Sequence, residues 1–179
     1  MNTRIVPLVV MLLLCLSLGL NLFKGPSKPK DRMVGHGIES FDIPEMGKPN
    51  ARFSPKSWEG KVVIVNIFAS WCEPCKLEQP VLMGLSKQAK IPLYGISWKD
   101  KPANTMKFLA RDGNPYTLVA VDENGDVTLP FSMTGVPETF VIGKDGMVRY
   151  HTSAALTDEM VTRDILPLVE ILSATSEGK

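Results

Sequence analysis

Apolar side chains fall into one long unbroken run at the start of this chain and short runs, parted by breakers, after it. Ile5 to Phe23 reads IVPLVVMLLLCLSLGLNLF without a charged residue. At about 1.5 Å of rise per residue this approaches the roughly 30 Å of a hydrocarbon core, so the run predicts a transmembrane helix. A cleaved signal peptide competes, since Arg4 supplies a positive head. Ser17 and Gly19 offer only a poor cleavage site, however, and Leu20 to Phe23 continue the apolar run. Lipidation of Cys15 is disfavoured by Leu14, which stands where a small residue is expected. Residues 1–23 are therefore read as an uncleaved anchor, 24–35 (KGPSKPKDRMVG) as a flexible linker, and 36–179 as one folded domain.

Beyond the linker, Val62 to Phe68 (VVIVNIF) is β-branched and nearly continuous, the pattern of a strand buried on both faces. A helix is predicted from Pro74 to about Lys87, with Leu77, Val81, Leu82 and Leu85 on its apolar face, Pro74 in its first turn and Pro80 kinking it. Leu93–Trp98 reads as a second buried strand, and Asn104–Arg111 as a helix closed by Asp112-Gly113-Asn114-Pro115. Leu118–Val121 is a short strand. Thr139–Ile142 and Met147–His151 flank Gly143-Lys144-Asp145-Gly146, a hairpin signal. Thr157 caps a last helix whose core face is Val161, Ile165, Leu168, Val169 and Leu172. This order predicts an α/β domain with a mixed central sheet covered on both faces.

Charge narrows the function. Residues 1–32 hold five of the 20 basic side chains and one of the 19 acidic ones, leaving 15 against 18 for residues 33–179. A mildly acidic domain without a basic stripe excludes nucleic-acid binding. The flank after the anchor is richer in Lys and Arg than the head, which by the positive-inside rule points the domain inward. A lone N-terminal anchor with a short Arg-bearing head points it outward, and so does the chemistry of the cysteines.

That chemistry rests on Cys72-Glu73-Pro74-Cys75, placed between a buried strand and a helix start. The unpaired N–H groups and positive dipole end of a helix N-terminus favour an anion there. Cys72 is then the stabilised thiolate and nucleophile, and Cys75, one turn further in, the resolving thiol. Half a zinc site is a poor alternative, because the remaining candidates are only Cys15, His36 and His151. A purely structural bridge closing so small a loop would stabilise little.

The segment FASWCEPCK (68–76), Pro80 and Gly135-Val136-Pro137 resemble thioredoxins. WCEPCKLE (71–78), GISWKD (95–100), GNPY (113–116) and GVPETF (135–140) are most similar to the CcmG/DsbE branch, which serves cytochrome c maturation. The resemblance implies a thioredoxin-like fold and a cis-proline at Pro137, with Val136 able to pair with an incoming peptide. It places Trp71, Glu73, Pro74 and Val136 along the substrate groove, and Glu78 and Glu138 as acidic residues lining that groove. It further implies no cofactor beyond the redox-active disulfide, and a monomer tethered to a bacterial inner membrane with its domain in the periplasm. The implied donor is a DsbD/CcdA-like membrane thiol carrier. The implied acceptor is apocytochrome c or a CcmH-like maturation protein.

Departures from the branch are Phe131-Ser132-Met133-Thr134 leading into the proline segment, and Trp98 where Tyr is commoner. Asn66 stands where thioredoxins carry a buried Asp base, so Glu78 or Glu138, if desolvated, becomes the candidate base; the plain alternative is that both are solvated rim charges. Negative charge from Glu73, Glu78 and Glu138, partly offset by Lys76, would disfavour the Cys72 thiolate and make a reductant rather than an oxidant. A TlpA- or ResA-like reductase with other substrates, and an apocytochrome-binding chaperone without redox turnover, are the competing functions.

Overall fold

The computed structural model describes residues 10, 11, 13 and 32–174, and the chain divides into two units, 1–31 and 32–179. In the first, Val10, Met11 and Leu13 are helical and exposed. The expected anchor otherwise lies outside the described residues, as does the linker up to residue 31. Among the described residues no helix is long and apolar enough to cross a membrane.

The second unit begins four residues before the expected boundary. Met33 is buried and the Gly35 N–H donates to the Val148 carbonyl, so residues 32–35 belong to the fold. Its elements are β1 (Ile43–Glu45), β2 (Lys48–Phe53), a 3₁₀ turn (Pro55–Trp58), β3 (Val63–Phe68) and α1 (Glu73–Gln88). After these come β4 (Leu93–Trp98), α2 (Pro102–Asp112), β5 (Leu118–Asp122), β6 (Glu138–Ile142) and β7 (Val148–Thr152). A helical stretch over 158–174, here α3, closes the unit. It includes a π-helical turn at Val161–Ile165, beside which the Thr162 hydroxyl donates to the Asp158 and Glu159 carbonyls. Thr157 caps it, its hydroxyl accepting from the Met160 N–H.

The seven strands run in the order β2-β1-β5-β4-β3-β6-β7, with β3, β4 and β5 parallel and the outer pairings antiparallel. Strand β3, buried along its whole length, is the fifth of seven and lies between β4 and β6. Side chains alternate between the faces of a strand. On one face Ile64 and Phe68 meet Leu82 and Leu85 of α1, Phe108 and Leu109 of α2, and Val161, Ile165 and Val169 of α3. On the other Val63, Val65 and Ile67 meet Phe41, Phe53, Trp58 and Phe131. All three helices thus feed one core. The second face is covered instead by the N-terminal segment, the 3₁₀ turn and residues 127–133, with Phe41 packed against Phe53, Trp58 and Phe131.

The face of α1 that is buried keeps Val81, Leu82 and Leu85 of the expected one but not Leu77. Leu77 is 72% exposed, whereas Cys75, Glu78, Gln79, Leu82 and Leu85 turn inward.

One row across the sheet sets the position of the site. Asn66 stands opposite Gly95 of β4 and Thr139 of β6. The missing side chain at Gly95 leaves room for the Tyr116 ring, stacked on Phe68 at 4.9 Å between centroids. A Cβ at Gly95 would lie 2.8 Å from Tyr116 Cγ and 3.0 Å from Phe68 Cε1, both in a packed core. The Gly95→Ala variant is expected to lose about 1–3 kcal/mol of stability through overpacking, measured by urea denaturation; an unchanged midpoint would contradict this close packing.

Candidate functional site

The site sits where β3 ends and α1 begins, at the carboxyl edge of the central strands. After Phe68, Ala69 to Trp71 form a turn whose backbone is held from the neighbouring connection. The Ser70 N–H donates to Asp100 Oδ2 at 2.7 Å, while the Lys101 N–H donates to Oδ1 of the same carboxylate at 2.8 Å. Asp100 is buried, and the Thr105 hydroxyl donates to it at 3.5 Å. It therefore ties the turn before Cys72 to the start of α2. Trp71 is 56% exposed yet fixed in place, its Nε1–H donating to the Lys99 carbonyl at 3.1 Å and its ring 6.1 Å from that of Trp98.

Cys72 occupies the N-cap of α1, its sulfur accepting the Cys75 N–H at 3.2 Å, which uses one of the helix's unpaired donors. Cys72 and Cys75 are joined as a disulfide, S–S 2.07 Å, and both are buried. Cys72 Sγ also lies 3.6 Å from the carbonyl oxygen of Val136. The Val136–Pro137 peptide is cis; Pro137 is buried and Val136 half-buried, packing against both cores. Pro74 is exposed, and so is Glu73, which pairs with Lys76 at 2.7 Å.

Glu78 and Glu138, expected to line the groove, are both buried, at 0% and 1% exposure. They stand on opposite faces of the sheet. Glu78 projects from α1 one turn beyond Cys75 and accepts from Asn66 Nδ2 (3.0 Å) and from the Leu156 N–H (2.8 Å). Asn66 completes its amide by donating to Thr139 Oγ1 (3.0 Å) and accepting from the Tyr116 hydroxyl (2.6 Å). Burial pushes the Glu78 carboxyl up from its ordinary value, against the opposing pull of the Leu156 N–H and Asn66. Burial and then the neighbouring Glu78 push the Tyr116 phenol well up, so it stays a donor. Gln79 adds a tether, donating to the Gly113 carbonyl at 2.6 Å.

Glu138 follows Pro137 and lies on the face of Phe140. Its Oε1 accepts from the Thr134 N–H (2.7 Å), the Thr134 hydroxyl (3.1 Å) and the Gly135 N–H (3.2 Å). Its Oε2 meets His151 Nε2 at 2.8 Å. Each glutamate is buried and has both oxygens engaged by donors, so neither is a solvated rim charge.

The expected charge around Cys72 is also weaker than three free carboxylates would make it. Glu73 is offset by Lys76, and burial disfavours ionisation of Glu78. Sequence reasoning missed Asp100, although it ends the GISWKD segment. It missed Tyr116, which ends GNPY, and it assigned no role to His151.

Comparison with known proteins agrees with this geometry. The Redoxin family matches residues 33–166. The thiol:disulfide interchange protein DsbE of Pseudomonas aeruginosa is 32% identical over 176 residues, covering 98% of this chain and 97% of that protein. The chain belongs to the DsbE family. As a DsbE-family protein it is a thiol–disulfide oxidoreductase, with Cys72 and Cys75 as its Cys-x-x-Cys disulfide. Its relative HelX of Rhodobacter capsulatus is 41% identical over 111 residues, 62% of each chain. The fold is that of a secreted thiol-disulfide isomerase from Corynebacterium glutamicum, with a TM-score of 0.66 and 20% identity over 80% of this chain and 96% of that one.

Glu78 gives this DsbE-family domain a pH signature. A carboxyl whose pKa is raised by folding holds its proton more tightly in the folded chain. Its contribution is then complete below the unfolded value of about 4.3 and is lost as pH rises through the folded value. Urea midpoints followed from about pH 4 to pH 8 should show this loss in the wild type and a flatter profile in Glu78→Gln. Parallel profiles would mean that Glu78 does not titrate with a raised pKa.

Proposed function

We propose that this protein is a membrane-tethered periplasmic dithiol reductase of cytochrome c maturation, acting on the Cys-x-x-Cys-His disulfide of apocytochrome c or of a CcmH-like partner. The observation that carries the reading is the Cys72–Cys75 disulfide at the N-terminus of α1, with Cys72 Sγ beside the carbonyl of Val136 before the cis peptide bond. In the reduced protein the Cys72 thiolate attacks one sulfur of the substrate disulfide and displaces the other as a thiolate. The Cys75 thiolate then attacks Cys72 Sγ and releases the second substrate sulfur. Two electrons pass to the substrate, and the protein is left as the disulfide described above.

Glu78, buried one turn beyond Cys75 on the same side of α1, takes the Cys75 proton. Burial raises its pKa, which makes it a stronger base than an exposed carboxylate. Glu138 does not share this role, because its carboxylate lies on the other face of the sheet. Val136 and the exposed Trp71 flank the disulfide and hold the extended substrate. A DsbD/CcdA-like thiol carrier returns the electrons, residues 1–23 anchor the chain, and no cofactor besides the disulfide takes part.

The direction of flow follows from electrostatics. Cys72 Sγ receives one helix N–H but faces a carbonyl oxygen, whose partial negative charge disfavours a thiolate. A weakly stabilised thiolate makes a reducing pair. The reduction potential of the full chain, equilibrated against dithiothreitol, is expected well below the glutathione couple. A value near −120 mV, where strong oxidants lie at about that potential, would recast the protein as a disulfide donor. In the same assay Cys72→Ser should abolish reduction of a Cys-x-x-Cys-His peptide disulfide, and Cys75→Ser should accumulate the mixed disulfide with it. A peptide that the wild type does not reduce would point to other substrates.

A further inference from the structure

His151 lies on β7, away from the cysteines in sequence, and thiol exchange as described above does not use it. We propose that His151 is a positioning residue for polypeptide substrates, acting through Glu138 to fix the loop that presents Val136 beside Cys72. The proposal rests on the reading of Val136 as a substrate-binding position.

The chain of contacts is short and complete. In the register of β6 and β7, His151 stands opposite Phe140, and the imidazole stacks on that ring at 4.3 Å between centroids and 16° between planes. The stacking sets the plane of the imidazole and brings Nε2 to 2.8 Å from Glu138 Oε2, with the His151 side chain only 11% exposed. Glu138 Oε1 already accepts three donors, from the backbone and hydroxyl of Thr134 and from the backbone of Gly135. In the tautomer that carries its proton on Nε2, the imidazole donates to Oε2, the oxygen those three donors leave open.

A carboxylate held at one oxygen can still pivot about its side-chain torsions. Held at both, it has one orientation. Glu138 therefore transmits the position of the imidazole to residues 134 and 135, and through them to the next residue, Val136. The Val136 carbonyl lies 3.6 Å from Cys72 Sγ, and its backbone is the edge against which an extended peptide would pair. A disorder of even about 1 Å in a substrate-positioning segment is enough to weaken productive binding. A small disulfide that needs only the sulfur of Cys72 makes no use of this loop, so the two substrate classes should respond differently.

The test compares His151→Phe and His151→Gln with wild type, each as the reduced full chain in a single-turnover reaction followed by intrinsic tryptophan fluorescence. The phenyl ring keeps the stacking on Phe140 and removes the donor; the glutamine amide restores a donor to Glu138 Oε2. One substrate is a disulfide-bonded Cys-x-x-Cys-His peptide, the other hydroxyethyl disulfide. For His151→Phe the half-saturating peptide concentration is expected to rise severalfold with the limiting rate kept, while the rate with hydroxyethyl disulfide stays within twofold of wild type. His151→Gln should recover most of the peptide affinity.

Three outcomes overturn the proposal. The first is an unchanged half-saturation in His151→Phe, the second an equal fall with both substrates, and the third a Gln variant no better than the Phe variant. A thermal melt of each variant separates the second from simple loss of fold. Failure of the wild type itself to reduce the peptide would instead count against the functional reading on which this rests.

Discussion

The amide of Asn66 is the constraint on which the rest of the site depends. It is buried at the centre of the sheet, and such a group costs about 1–3 kcal/mol for each hydrogen bond it fails to make. All of its side-chain partners come from other elements: Glu78 from α1, Thr139 from β6 and Tyr116 from the segment before β5. Glu78 in turn reaches the Leu156 N–H just before α3. The network closes only when these elements stand at one mutual distance, and among the described residues no buried side-chain nitrogen or oxygen lacks a partner. Gly95 is part of the same constraint, because Tyr116 reaches Asn66 only by passing over a position that has no side chain.

Once α1 is fixed from its buried face, its N-terminus is fixed as well, and the disulfide with it. Asp100 then holds the turn on the other side of Cys72 through Ser70. The redox turn is thus gripped from both ends, by a carboxylate on each side whose oxygens face N–H donors. Satisfied in this way, buried polar groups specify an arrangement more sharply than apolar packing does.

Much of this was legible in the sequence, and the failures have physical causes. Strands β3 and β4 are continuous apolar runs whose burial leaves little choice of structure, and Leu93–Trp98 matches its expected limits. Strands β1 and β2 went unread: Ile43-Pro44-Glu45 and Lys48-Pro49-Asn50-Ala51-Arg52-Phe53 contain prolines and charge, and they are strands because their neighbours pair with them. The buried side of α1 was misjudged at Leu77, whose apolar side chain outweighed the polar residues. The steps from Cys75 to Glu78, Leu82 and Leu85 are three, four and three residues, the spacing of one helical face, and that spacing places Glu78 inside with the cysteine. His151 carried no local signal at all, since its partner Glu138 is reached only through the pairing of β6 with β7.

The two buried glutamates divide the work by the face of the sheet on which they lie. Glu78 and Cys75 are both on the buried face of α1, one turn apart, which is the basis for assigning Glu78 to the thiol that must lose a proton. Glu138 faces the opposite core, where its oxygens engage the backbone of residues 134 and 135, the Thr134 hydroxyl and His151. Between the two arrangements stands Val136, which packs against both cores and whose carbonyl approaches Cys72. On the roles proposed above, chemistry and recognition are separable in this fold: a substitution around Glu78 acts on electron transfer to any substrate, and one around Glu138 on which substrate reaches the sulfur.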